Sequence, residues 1–113
     1  MYIILRKDLL SVLEWPLGAL ITQAAHASTA VIWEHKDDKQ VIEYMADIDR
    51  MRKITLQVQT EEELKKVSSK LTASNILHKL WIEQPENIPA CIAVKPYLKP
   101  DVQEFMKGLK LFS

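Results

Sequence analysis

Between Trp15 and Trp33 the chain carries nineteen residues without an acidic or basic side chain, counting histidine as neutral. That length approaches the ~20 residues needed to cross a bilayer, so the run is either a membrane span or a helix that a folded core must cover. Its polarity decides. Thr22, Gln23, His26, Ser28 and Thr29 are scattered through it, and glutamine or histidine in hydrocarbon would need specific partners. The stretch is therefore read as a buried helix of a soluble protein with no membrane association. Pro16 suits its first position, where a missing N–H costs nothing. Leu17, Leu20, Ile21, Ala24, Ser28, Val31 and Ile32 recur at helical spacing and are the expected core stripe.

The rest of the chain supplies the other elements of one core. At 113 residues there is room for a single domain, 1–113, and not for a second. Tyr2 to Arg6 is a short buried strand, followed by a connection from Asp8 to Glu14. After the long helix, Asp37 or Asp38 caps a second one with Val41, Ile42, Met45 and Ile48 inward. Ile54 to Gln59 alternates as a half-buried strand. Thr60 with Glu63 forms a capping box that opens a helix through Leu64, Val67 and Leu71. A third strand runs from Ile76 to Ile82, a breaker-rich loop from Glu83 to Pro89, and an apolar central strand from Ala90 to Val94. Pro100 and Asp101 start a last helix that Gly108 stops. The order βααβαββα predicts an α/β domain of three layers, α/β/α, with a largely parallel sheet and right-handed crossovers.

Charge and cysteine content narrow the setting. Fifteen basic residues balance fifteen acidic ones, which excludes a globally basic nucleic-acid binder but not a local basic face. The cancellation is uneven, for Glu34 to Asp49 holds six acids and two lysines. One cysteine, Cys91, cannot form an intrachain disulfide, and no export signal is visible. The expected location is cytoplasmic.

Several chemistries drop out. There is no Gly-rich phosphate loop, no nucleophile elbow and no dinucleotide fingerprint, and two glycines could hardly build one. His26, His35 and His78 fall on separate elements without a cysteine or carboxylate at zinc-ligand spacing, so no metal site is expected. What stands out is the long helix, where Ala19, Gln23 and His26 share a face distinct from the apolar stripe. An amide and an imidazole then lie side by side on an otherwise apolar helix.

These residues resemble the type II peptidyl-tRNA hydrolase family. The landmarks are Arg6-Lys7-Asp8-Leu9, Gly18 with Gln23-Ala24-Ala25-His26-Ala27, Thr60-Glu61-Glu62-Glu63-Leu64, the passage from Leu80 to Ile88, and Gly108-Leu109-Lys110-Leu111. A divergent branch, the peptidyl-tRNA hydrolase domain-containing proteins, is similar also in Trp15-Pro16, Arg50-Met51-Arg52-Lys53 and Glu83-Gln84-Pro85-Glu86-Asn87-Ile88. The resemblance implies a four-stranded mixed sheet with one strand antiparallel to the rest. It also implies hydrolysis of the ester joining a peptide to tRNA, without metal or organic cofactor.

Its implied catalytic residues are Gln23, His26 and Glu83. Gln23 and His26 match the family pattern unchanged, whereas two positions depart from it: Ala19 stands at the family's lysine position, and Glu83 at its aspartate. Ester hydrolysis needs a base for water and a donor or cation for the developing oxyanion. Glu83 is the candidate base, with Gln23 and His26 orienting water or substrate. Arg6, Lys7, Arg52 and Lys53 are the candidate replacements for the missing cation. A tRNA-binding surface is expected from Arg6, Lys7, Arg50, Arg52, Lys53 and Lys95, although three bases beside Asp47 and Asp49 are more often a solvated surface. Trp81 is read as core, with stacking on a tRNA base as the alternative. Two further readings stay open: a tRNA-binding module that has lost turnover, and a protein-interaction domain, with a protein partner or a homodimer in place of RNA.

Overall fold

The computed structural model describes all residues, 1–113. Strand β1 (Tyr2–Arg6) is followed by a one-turn helix α1 (Asp8–Ser11), then the long helix α2 (Leu17–Glu34) and α3 (Lys39–Ala46). A 3-10 turn at Ile48–Arg50 leads into β2 (Ile54–Val58), α4 (Glu61–Ala73), β3 (His78–Glu83), β4 (Ile88–Val94), α5 (Lys99–Met106) and a two-residue strand β5 (Lys110–Leu111). The class is α/β, with five helices and one mixed sheet of order β3-β4-β1-β2-β5.

The sheet corrects two expectations. It has five strands rather than four, and β1·β2, with Ile4 opposite Leu56, is its one parallel pairing, although β3 points the same way as these two and β4 and β5 the opposite way. The pairs β1·β4, β3·β4 and β2·β5 are antiparallel. Residues 84–87 between β3 and β4 are too few for a parallel crossover, which needs a dozen or more, so the two strands close as a hairpin. The fifth strand forms because Gly108 adopts a φ of 84°, turning the chain after α5 back to the free edge of β2, where the Phe112 N–H donates to the Thr55 carbonyl at 3.0 Å. The expected connection after β1 also contains a helical turn, α1, which buries Leu9.

Strand alternation divides the core. Ile3 and Leu5 of β1 pack with Leu20, Ala27 and Val31 of α2, while Ile4 packs with Leu64 and Leu71 of α4 and with Val102 and Met106 of α5. From Ala90 to Val94 every residue of β4 is buried, as its unbroken apolar run requires of a strand flanked on both sides. At α4 the Thr60 hydroxyl accepts from the Glu63 N–H at 3.2 Å, and Glu63 reaches back to the Gln59 N–H at 2.6 Å. Asp38 caps α3, but the inward set of that helix is narrower than expected: Val41 is buried and Ile42 and Ile48 are exposed.

Two basic residues expected on the RNA-facing surface are interior struts. Lys95, at the end of β4, has a side chain 1% exposed. Its Nζ donates to Asp38 Oδ1 at 3.0 Å, Gln40 Oε1 at 2.9 Å and the Pro96 carbonyl at 2.9 Å, and lies 3.9 Å from the centre of the Tyr97 ring. All three ammonium protons are used, so it ties α3 to β4 and cannot meet a phosphate. Arg6 is likewise buried. It grips Asp8 with two bonds of 2.9 Å, donates to the Pro89 carbonyl at 2.9 Å, and reaches Glu61 at 3.5 Å, joining β1 to α1, α4 and the start of β4.

Burial works against the charge of Asp38, but the hydrogen bond and charge of Lys95 and the N–H groups of Gln40 and Val41 outweigh it and hold its carboxyl below the ordinary value. A carboxyl depressed on folding contributes stability that is full above its unfolded pKa and is lost as the pH falls through the folded one. Lys95→Met keeps the stem and removes the charge-assisted bonds, and should lower the unfolding free energy by about 1.5–3 kcal/mol in urea titrations near neutral pH. The gap from wild type should narrow once the pH falls below 3.8. An unchanged midpoint would contradict the strut.

Candidate active site

Helix α2 is rotated relative to the expected stripe. Its buried residues are Leu20, Gln23, Ala27 and Val31, at intervals of three and four, whereas Leu17 is 58% exposed and Ile21 60%. Gln23, expected on a separate polar face, is therefore part of the buried stripe and is 1% exposed. It points toward the end of β3, where Glu83 closes the strand.

There the two polar groups meet. Gln23 Nε2 donates to Glu83 Oε2 at 2.8 Å and to the Ala19 carbonyl one turn back at 3.2 Å. Both partners are acceptors, which sets the amide orientation, since a flipped amide would press an oxygen against a carboxylate. Gln23 Oε1 is left buried without a partner. Trp81 and Glu83 are two residues apart, and Trp81 Nε1 donates to Glu83 Oε1 at 3.4 Å. The Trp81 ring packs on the core on one side and stacks on the exposed His26 imidazole at 4.5 Å between centroids, with 15° between planes. The core reading of Trp81 holds in part, because one face of the half-buried ring packs on the core and the other meets His26.

The hydrogen bond from Gln23 lowers the Glu83 pKa. Partial burial opposes that effect, and the Trp81 N–H, the charge of His26 and the Gln84 N–H add to the lowering, so the carboxyl stands below its ordinary 4.5. At neutral pH it is an ionised acceptor fixed by two side-chain donors. Each oxygen keeps a lone-pair direction for a water or hydroxyl proton. Cys91, by contrast, is buried in β4 with its thiol pKa pushed up by desolvation, and it takes no part.

No lysine or arginine joins this constellation. Lys7 donates to the Ser113 backbone oxygen and lies 4.7 Å from the centre of the Phe112 ring, Arg50 pairs with Asp47 at 3.5 Å, and Lys53 reaches the Tyr44 hydroxyl at 3.3 Å. Arg52 is exposed on the segment before β2, and only its backbone oxygen is engaged, by Tyr44 at 2.7 Å and the Met1 amino group at 3.3 Å. Position 19, where the family resemblance implies a lysine, carries only the methyl group of Ala19. No three His, Cys, Asp or Glu side chains come together as a metal-binding group, and no helix is long and apolar enough to cross a membrane.

Beside the Gln23–Glu83 pair a hollow of about 410 Å³ runs along α2, lined among others by His26, Thr29, Trp33 and Trp81. Trp33 was not singled out by the sequence reading. Its spacing could have found it, because residues 22, 26, 29 and 33 fall on one face at intervals of four, three and four.

The peptidyl-tRNA hydrolase PTH2 family model matches residues 1–112. Mouse and human proteins named "Putative peptidyl-tRNA hydrolase PTRHD1" are each 45% identical over 112 residues, covering 98% of this chain and 80% of theirs. With the match running from β1 through β5, the chain belongs to the peptidyl-tRNA hydrolase PTH2 family.

Proposed function

We propose that the protein hydrolyses the ester between a peptide and tRNA, with water as the nucleophile and Glu83 as its base. The observation that carries the reading is the 2.8 Å bond from Gln23 to Glu83, which fixes an ionised carboxylate against Trp81, whose ring stacks on the exposed His26 and lines the neighbouring hollow with it. Glu83 accepts a proton from water as the water attacks the ester carbonyl. The tetrahedral intermediate then expels the terminal ribose oxygen, which takes up a proton. His26 stands within the same wall to orient water or to supply that proton. The two apolar clusters support a three-layer α/β/α arrangement that holds α2 against β3 and so holds this geometry. A single buried thiol fits a reducing, cytoplasmic setting, where peptidyl-tRNA arises.

One observation favours a second reading, a tRNA-binding module that no longer turns over. Ala19 supplies no cation, and no other basic side chain contacts Gln23, His26 or Glu83. Loss of an oxyanion donor typically slows such reactions ~100–1000-fold. The hydrolase proposed here is accordingly slow, with the pair Gln23–Glu83 intact and the electrostatic assistance missing.

Release of free tRNA from a model peptidyl-tRNA separates the two. Under single-turnover conditions the wild type should release tRNA above background, Glu83→Ala should lose at least ~100-fold, and Ala19→Lys should gain ~100-fold by restoring a cation one turn from Gln23. No release by wild type at micromolar enzyme would overturn the hydrolase reading, and activity in Ala19→Lys alone would establish the binding module. The pH profile identifies the base. Because the Glu83 carboxyl lies below 4.5, the rate should be level between about pH 5 and 7 and fall only at more acid values. An acid limb between about 6 and 7, near the ordinary histidine value, would assign the base to His26 instead.

A further inference from the structure

Strand β3 is an edge of the sheet, paired with β4 on one side and with nothing on the other. The Leu77 carbonyl accepts from the Lys95 N–H at 3.0 Å, one step beyond the pair His78 and Val94. In an antiparallel ladder directly opposed residues alternate between exchanging hydrogen bonds and turning their main-chain groups away. Leu77, Lys79 and Trp81 therefore face β4, and the N–H and C=O groups of His78 and Leu80 point out of the sheet. No strand and no side chain takes them. An open edge is ordinarily defended by proline, a bulge or charge. β3 has six residues and no proline, and the extra residue at its bulge, Ala90, belongs to β4. Lys79, its one lysine, is paired with Glu34 at 2.7 Å.

We infer that this edge holds the peptide of a peptidyl-tRNA as an added strand. The inference rests on the hydrolase reading, which fixes its direction. The ester is at the peptide's C-terminus and Glu83 is the last residue of β3, so the peptide runs parallel to the strand. The five steps from His78 to Glu83 span about 17 Å, room for about six extended residues. Main-chain bonds give affinity without reading side chains, which suits a substrate whose peptide varies in sequence. Alternate side chains then fall on the two faces of the sheet. On the α2 face they meet the hollow of about 410 Å³, which includes Trp81 and has no Asp, Glu, Lys or Arg in its lining. On the other face they meet Leu80 and Ile82, the latter 39% exposed. These neutral walls suit peptide side chains and offer no cation to a phosphate backbone, so the occupant is peptide rather than RNA.

The test keeps the wild-type protein and changes the substrate. With acetylated peptidyl-tRNAs of increasing peptide length, KM should fall and then level off near about six residues. In a hexapeptide series, N-methylation should raise KM about 5-fold at every second residue, where an N–H donates to the edge, and leave the residues between unchanged. Amide hydrogen exchange gives an independent readout. An acetylated, amidated hexapeptide of alternating valine and alanine should slow exchange at His78 and Leu80 and leave Lys79, which already faces β4, as it was. A KM indifferent to peptide length, or N-methylation that acts without the two-residue period, overturns the added strand and leaves hydrolysis in place. Slow exchange at His78 and Leu80 that depends on protein concentration before any peptide is added assigns the edge to a second copy and also overturns it. Peptide-dependent protection in a protein that releases no tRNA overturns the hydrolase reading and leaves the strand site standing.

Discussion

The rotation of α2 about its own axis governs everything that follows. Leu20, Ala27 and Val31 must be covered by β1 and β4, and the helical repeat then leaves no freedom for the residues between them. Gln23 is carried into the buried stripe by the same turn that buries Leu20 and Ala27, and His26, Thr29 and Trp33 are carried outward. Burying leucine and valine side chains contributes about 1.5–3 kcal/mol each. An unpartnered amide oxygen costs about 1–3 kcal/mol, so the fold can hold Gln23 Oε1 without a protein donor. The bond to Glu83 is thus a consequence of core packing rather than a contact between two surface side chains.

Much of this was legible in advance. The capping box of Thr60 and Glu63, the Asp38 cap and the apolar run from Ala90 to Val94 are local signals whose physics does not depend on the rest of the chain. The sheet is harder to read, because alternation of strands and helices argues for parallel pairing, and only the short link between Glu83 and Ile88 argues against it. The tail after Gly108 is a strand only because an edge of β2 is free to receive it. The orientation of α2 is ambiguous in sequence for a related reason. Seven apolar or small residues fit a wide stripe, and the sequence does not say which edge of that stripe the sheet will cover.

The site shows the same division. Gln23, His26 and Glu83 were named from family resemblance, and they do come together. The cations were assigned from position along the chain, which carries no information about partners. Arg6 and Lys95 are the clearest cases: one ends β1 and the other directly follows β4, each looks available, and each is consumed by carboxylates and carbonyls inside the fold. Trp33 went unremarked because a tryptophan on a long apolar helix is ordinarily core. Its helical spacing from His26 is the signal that sets it apart.

What remains is a carboxylate held by an amide and an indole, without the cation expected beside it. Removing one member of a working unit disables the other, whereas independent residues lose rate multiplicatively. Single-turnover hydrolysis of peptidyl-tRNA by Gln23→Ala, Glu83→Ala and the double variant measures this directly. If Gln23 acts through Glu83, the double variant is about as slow as Glu83→Ala alone. Losses that multiply, or a wild-type rate in Gln23→Ala, would contradict it.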